Sequence, residues 1–355
     1  MLYEIAEKVR EMENKGKKII KFNVGDPDQK TDEKIIQAAF EAMKKGRTKY
    51  GSAYGEKNLR EKIAEEYHVK PENVIISPGS KWLIFTIMNV VARRGNVIII
   101  SPHWTAYELI AKEIDAEPRF LHTDLNSNWK IDLNKLEEMI DSNTKLIILN
   151  SPNNPTSKVI DEKTFAEIVE LAEKKNIKIL SDEAYLELSF KKAKSILDFS
   201  LNHIMVNTFS KTFAMSGWRL GFAILEKQLI EKIVKLNQLT ITNVPIFIQD
   251  AGVKALEEKD KIVKTMKAIY KKRCEIVCKA LSKTKLKFSR PDAPFYVFPF
   301  CGQDSEKIAL ELLEKGVAIT PGTAFGNYRN YFRIAYTVPE NEILEGMEKI
   351  AKTFS

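Results

Sequence analysis

The apolar residues of the chain fall into two kinds of run. Short, nearly continuous stretches of Ile, Val and Leu recur as NVIIS (73–77), NVIIIS (96–101), KLIILN (145–150), IKILSD (177–182) and IMVNTF (204–209). Their lack of polar alternation predicts strands buried on both faces, as in a largely parallel sheet covered by helices. Between them, DEKTFAEIVELAEKKN (161–176) sets Phe165, Ile168, Val169 and Ala172 on one helical face with charges opposite, the pattern of a crossover helix. From about residue 227 the runs lengthen. KQLIEKIVKLNQL and EEKDKIVKTMKAIYKKRCEIVCKALSK read as long helices, and the shorter, strand-like LKFS, FYVFPF, VAIT and YFRIAYT come after them between Pro and Gly turns. The expected fold is α/β: a large domain (41–265) with a mostly parallel central sheet covered by helices, and a smaller α+β domain (1–40 and 266–355). The first forty residues have no sheet pattern of their own and are expected to pack against the C-terminal part.

A length of 355 residues suits two domains, and 44% hydrophobic with 29% charged residues excludes a disulfide miniprotein, a collagen-like fibre or a disordered tail. The 56 basic and 48 acidic residues are interspersed, so the net +8 fits an anionic small ligand as well as nucleic acid. With no nucleic-acid-binding module in the sequence, no nucleic acid is expected as partner. Cys274, Cys278 and Cys301 cannot all pair, and no His/Cys cluster accompanies them. They read as reduced thiols of a cytoplasmic protein with no metal. The start of the chain mixes charged and apolar residues without the continuous apolar core of a signal peptide, and no stretch is apolar enough to span a membrane.

Ligands of open α/β sheets sit beyond the carboxyl ends of the strands, so the residues just after each strand are the ones placed to carry chemistry. After NVIIS comes SPGSKW, a turn whose Gly79 and Ser80 open a helix and suit a phosphate, though such turns also serve only to cap. PHWTAY succeeds the second run and brings Trp104 and Tyr107 to the same edge, to stack on a ligand or to cover core. SPNNPTSKV, with Asn153 and Asn154, reads as a loop whose amides can also bond a ring oxygen. Asp182 closes the fourth run, a costly place for an unpaired carboxylate, with Tyr185 three residues on. Lys211 and Arg219 come after the fifth, the one a nucleophile if desolvated, the other a fork for phosphate or carboxylate. Together these are the parts that a pyridoxal phosphate site requires.

Taken in order, FNVGDPD (22–28), YGSAYGEKNLR (50–60), SPGSK (77–81), PHWTAY (102–107), NSPNNPT (150–156), SDEAYLEL (181–188), FSKTFAMSGWRLG (209–221), PGTAFG (321–326) and YFRIAY (331–336) resemble the class I aminotransferases of the fold-type-I pyridoxal phosphate enzymes, nearest to the prokaryotic aspartate aminotransferases. The resemblance covers nearly the whole chain and implies pyridoxal 5'-phosphate as cofactor. Lys211 would hold it covalently, Asp182 would bind its ring nitrogen, Tyr185 and Asn154 its phenolic oxygen, and Trp104 would stack on the ring. Ser80, Ser210 and Arg219 would hold the phosphate, helped by backbone near Gly79 and Lys81. Tyr50 would reach that phosphate from the neighbouring subunit of a homodimer with shared sites. Arg333 would pair with the substrate α-carboxylate, with Gly25 letting backbone approach it. Tyr54 and Tyr296 read as packing residues.

The implied activity is ping-pong transfer of an amino group from an L-amino acid to a 2-oxo acid. Lys81 stands where some bacterial relatives place a lysine near the distal carboxylate of aspartate. With Trp104 it favours aspartate and 2-oxoglutarate, ahead of an aromatic or broad-range aminotransferase and of a pyridoxal phosphate-dependent C–S lyase. Three features depart from the family pattern: Ser157 replaces the usual glycine after NPT, Ala293-Pro294 stands in DAPFY where Gly-Ala-Phe is usual, and FNVGDPD lies close to the start of the chain, so an arm reaching over the partner is expected to be missing.

Overall fold

A computed structural model describes the backbone of residues 2–355 and the side chains from Glu7 onward. The strands, in chain order, are β1 (Ile20–Lys21), β2 (Val74–Ser77), β3 (Asn96–Ser101), β4 (Glu117–His122), β5 (Thr144–Asn150), β6 (Lys178–Asp182), β7 (Ile204–Thr208), β8 (Gly221–Ile224), β9 (Tyr296–Val297), β10 (Val317–Ala318), β11 (Thr320–Pro321) and β12 (Phe332–Ala335). Seven of them form one sheet in the order β2-β8-β7-β6-β5-β3-β4. Neighbours run parallel except at β8, which is antiparallel to both β2 and β7.

The apolar runs become central strands because alternate residues feed two separate cores. Ile98, Ile147, Leu149 and Met205 face one layer of helices, while Val97, Ile99, Leu146, Ile148 and Val206 face the other, all buried. Neither face meets water, which is why the runs show no polar alternation. The crossover helix Glu162–Lys174 begins at Asp161, whose side chain accepts from the Thr164 N–H at 3.0 Å, and it buries the expected Phe165, Ile168, Val169 and Ala172. The three larger of these side chains stabilise its seat on the sheet by about 2 kcal/mol each.

Two strands of the sheet lie outside the runs read from the sequence. β4 is an edge strand, largely half-exposed, and its EPRFLH carries charge and proline that a central strand excludes. β8 is only four residues long; the return to it from β7 holds the short helix Phe209–Thr212 and a 3-10 turn at Ser216–Trp218, not a crossover helix. The strand therefore comes back antiparallel, and its first residue lies at the carboxyl edge of the sheet. LKFS forms no strand of its own, only an isolated bridge between Lys287 and Phe300.

The second unit is a three-stranded antiparallel sheet, β11-β12-β9, beside the parallel pair β1 and β10. Val9, Ile19, Ile20 and Phe22 share a core with Val277, Val317, Ile343 and Ile350, so the start of the chain packs against its end. The helix Glu33–Lys44 instead sends Ile35 and Ala39 into the core of the large sheet, beside Ala251 and Ala255 of the helix Ile246–Glu257. The expected boundaries at 40/41 and 265/266 fall inside the helices Glu33–Lys44 and Lys259–Leu281. Among the described residues no helix is long and apolar enough to cross a membrane, and no group of three or more His, Cys, Asp or Glu side chains is placed to hold a metal ion.

Candidate active site

At the carboxyl edge of the large sheet lies a cavity of about 320 Å³, walled on its far side by Gly25, Tyr296 and Arg333. Asp182, the last residue of β6, lines it and is only 4% exposed. Its Oδ2 accepts from the Tyr107 hydroxyl at 2.6 Å and its Oδ1 from the Ala184 N–H at 3.2 Å. Burial pushes the carboxyl pKa up; these hydrogen bonds and the charge of Lys211 oppose it and leave it raised. Asn150 closes β5, donates to the Asp182 carbonyl at 2.9 Å and accepts from the Asn154 N–H at 2.7 Å, so the loop after β5 is tied to β6.

Lys211 sits on the short helix into which β7 runs, capped by Thr208, whose hydroxyl accepts from the Ser210 N–H at 3.2 Å. Its ammonium donates to the Gly25 carbonyl at 2.8 Å. Gly25 leaves no room for a side chain, since a Cβ there would lie 2.1 Å from the Tyr296 hydroxyl oxygen. A second corner forms where Gly79, at φ +88, opens the helix Ser80–Val91. The Arg219 guanidinium folds over it, donating to the Ser216 carbonyl at 2.7 Å and the Pro78 carbonyl at 3.3 Å, so close that a Cβ on Gly79 would meet Nη2 at 2.6 Å. Helix N–H groups, the Ser80 and Ser210 hydroxyls and Arg219 thus converge as an anion-binding corner.

Arg333, on β12, is 7% exposed. Its Nη1 donates to Asn154 Oδ1 at 2.9 Å and its Nη2 to the Asn23 carbonyl at 2.8 Å, while the guanidinium lies 4.4 Å from the Tyr296 ring centroid and 5.0 Å from that of Phe325. Its Nε is buried without a hydrogen-bond partner, and burial lowers the pKa of the group. A desolvated cation with an unspent donor is costly unless an anion completes it. Along the same cavity Trp104 meets Tyr107 edge-on at 5.5 Å, and the Lys81 ammonium stands 5.0 Å from the Trp104 ring. The hydroxyls of Tyr185 and Tyr296 are 3.0 Å apart, and burial raises the Tyr185 pKa well above the ordinary phenol range.

Of the residues singled out in the sequence, Gly25, Ser80, Lys81, Trp104, Asn154, Asp182, Tyr185, Ser210, Lys211, Arg219 and Arg333 line this cavity, and Gly79 backs it. Tyr50 does not: it is 87% exposed, beside a separate cavity lined by Ile241, Pro245, Ile246 and Phe247. Tyr296, read as a packing residue, is 2% exposed within the core of the second unit, and it also lines the cavity, its hydroxyl beside Gly25. Asn150 and Thr208 also line the cavity without having been picked out; both are polar residues closing a buried strand, the same signal that exposed Asp182. Ser216 joins them and donates to Asp26 Oδ2 at 2.8 Å.

The profile of the family described as aminotransferase class I and II matches residues 17–350. An aspartate aminotransferase of Thermococcus kodakarensis is 37% identical over 94% of this chain and 88% of its own length. One of Pyrococcus horikoshii is 38% identical over 98% of this chain and 93% of its own. Among solved structures, a double mutant of Thermus thermophilus aspartate aminotransferase superposes with a TM-score of 0.96 at 28% identity, covering 100% of this chain and 96% of that one.

Proposed function

The chain belongs to the class I and II aminotransferases, enzymes that transfer amino groups, and from that premise we propose that it carries pyridoxal phosphate in the cavity described and moves an amino group from L-aspartate to 2-oxoglutarate. One observation carries the reading: Lys211 and the buried carboxylate of Asp182 share a single cavity with an anion corner at one end and the unspent Arg333 donor at the other. These groups fit the cofactor. Ser80, Ser210, Arg219 and the helix N-terminus would hold its phosphate, Lys211 its aldehyde carbon, Asp182 its protonated ring nitrogen, Tyr185 and Asn154 its phenolic oxygen, and Trp104 its ring face. Bound there, pyridoxal phosphate supplies the electron sink that acidifies the substrate Cα–H.

The protein's own groups do the rest. Arg333, held by Asn154 and the Asn23 carbonyl, would pair its remaining guanidinium N–H groups with the substrate α-carboxylate and so turn the Cα–H towards the Lys211 amine. The Lys211 amine, facing that Cα–H, would take its proton and hand it back, a general base and acid in one. The Tyr107 hydroxyl and the Ala184 N–H hold the Asp182 carboxyl in place and favour its charged form against burial, so that a positive charge opposite it would complete its solvation.

Cation arithmetic supports a dicarboxylic substrate. Lys81, Arg219 and Arg333 line the cavity besides Lys211; with Arg219 on phosphate and Arg333 on the α-carboxylate, Lys81 remains for a distal carboxylate. The 87% exposed Tyr50, in a hollow lined by Ile241, Pro245, Ile246 and Phe247, and the 82% exposed Leu239 support a homodimer in which Tyr50 reaches the partner's phosphate corner. The three free cysteines support a cytoplasmic setting. The test is spectral: purified protein with pyridoxal phosphate gives a visible absorption band, which L-aspartate alone abolishes as one equivalent of oxaloacetate appears. A band that aspartate leaves intact but an aromatic amino acid abolishes moves the activity to an aromatic or broad-range aminotransferase. Pyruvate with sulfide from a cysteine-type substrate makes it a C–S lyase. No band refutes the cofactor assignment.

A further inference from the structure

We propose that Ser157 is a positioning residue for the substrate end of the cavity, and that it acts by holding Tyr296. The proposal rests on the reading that Arg333 receives a carboxylate. Ser157 lies in the turn after β5 at φ +53, a conformation that burdens an L residue and suits glycine, and it is completely buried. What it gains there is contact with the second unit. Its carbonyl accepts from the Asp292 N–H at 3.0 Å, and its hydroxyl oxygen accepts from the Tyr296 N–H at 3.1 Å. Asp292 is clamped on the same side by Lys158 at 2.8 Å and Lys191 at 2.6 Å. The Tyr296 N–H is not spent on β12, where the neighbouring bond runs from the Tyr336 N–H to the Phe295 carbonyl at 3.0 Å.

Tyr296 in turn touches three working parts at once. Its ring lies 4.4 Å from the Arg333 guanidinium, its hydroxyl 3.0 Å from that of Tyr185, and the same hydroxyl presses on Gly25, whose carbonyl receives Lys211. β9 is a two-residue strand at the edge of its sheet, so the start of that strand depends on the Ser157 hydroxyl for its register towards the cavity. Loss of the hydroxyl leaves a buried N–H unpaired and lets the ring that backs Arg333 drift.

Glycine occupies φ +53 without strain, so Ser157→Gly removes the hydroxyl and keeps the turn. The protein loaded with pyridoxal phosphate is titrated calorimetrically with succinate, a dicarboxylate that has no amino group to react. The expected result is succinate binding weakened about five- to tenfold, with KM for aspartate raised by a similar factor and the saturated half-reaction rate within about twofold of wild type. In a Tyr296→Ala background the further Ser157→Gly change is expected to have no additional effect, because Ser157 acts only through that ring. Succinate binding by Ser157→Gly equal to wild type overturns the proposal, and so does a weakening that persists undiminished without Tyr296. A wild type that binds neither cofactor nor succinate overturns the function proposed above and this inference with it.

Discussion

Glu183 comes directly after Asp182 in the chain and points to the opposite side of the strand end, fully buried away from the cavity. Its Oε1 accepts from the Ser181 hydroxyl at 2.9 Å and the Ile196 N–H at 2.8 Å, while Oε2 has no partner. Burial outweighs those bonds and pushes its pKa from 4.5 up to about 8. Because the folded state holds a proton that the unfolded chain has released, this stability is fully present below pH 4.5, falls as pH rises and is gone above about 8. At 1.36 kcal/mol per unit over that interval, the loss amounts to about 5 kcal/mol. Glu183→Gln keeps both acceptor contacts, cannot ionise, and costs about 1 kcal/mol for an amide N–H group without a partner. Urea unfolding of the cofactor-free protein at one fixed concentration, from pH 5 to 9, checks this. Wild type should lose several kcal/mol across the range, and the variant should be the more stable at pH 9 by about 4 kcal/mol. Parallel stability curves for the two proteins would refute the assignment of a proton to Glu183 at neutral pH.

Arg333→Lys keeps the charge but loses the fork, so kcat/KM for any α-amino acid should fall about ten- to a hundredfold, the worth of one charge-assisted hydrogen bond, with the cofactor band unchanged; a loss under threefold, read by stopped-flow half-reactions, would contradict the role. Tyr107→Phe removes the strongest hydrogen bond opposing the desolvation of Asp182, so that carboxyl rises further and cofactor affinity should weaken about tenfold, more steeply as pH falls from 8 to 6. Equilibrium titration with pyridoxal phosphate at several pH values reads this, and a profile matching wild type would count against it. Lys81→Met should slow the aspartate half-reaction about tenfold while leaving that of alanine within about twofold; equal slowing of both would remove Lys81 from distal-carboxylate recognition.

A sequence discloses structure wherever the constraint on a residue is local. The strand Asn96–Ser101 is legible to the residue because burial on both faces admits only apolar side chains, and that rule acts on each position separately. β4 and β8 obey other rules: an edge strand is free to carry Glu117, Pro118 and Arg119, and a four-residue strand is too short for any period to show. The helix Glu33–Lys44 packs with a partner other than the expected one for a similar reason. Its Ile35 and Ala39 announce a buried face, but nothing in that spacing says that the face meets Ala251 and Ala255 more than two hundred residues away.

The site divides in the same way. Asp182, Asn154, Lys211 and Arg219 are legible because each closes a strand or lies in the segment just beyond one, and the sheet alone brings strand ends together at one edge. Gly25, Tyr296 and Arg333 come from the other unit, and their place in the cavity depends on pairings of β9 with β12 and of the 23–25 segment with Lys211 and Arg333. Resemblance supplies Gly25 and Arg333, but Tyr296 sits among Phe295, Val297 and Phe298, where aromatic and apolar neighbours signal only core. Its place at the cavity rests on where its hydroxyl ends, 3.0 Å from that of Tyr185 and against a glycine that has no Cβ to keep it out. A residue of this kind becomes recognisable only when the two units are seen together. For that reason the end of the cavity formed by Gly25, Tyr296 and Arg333 is harder to read from sequence than the end formed by the strand termini of the large sheet.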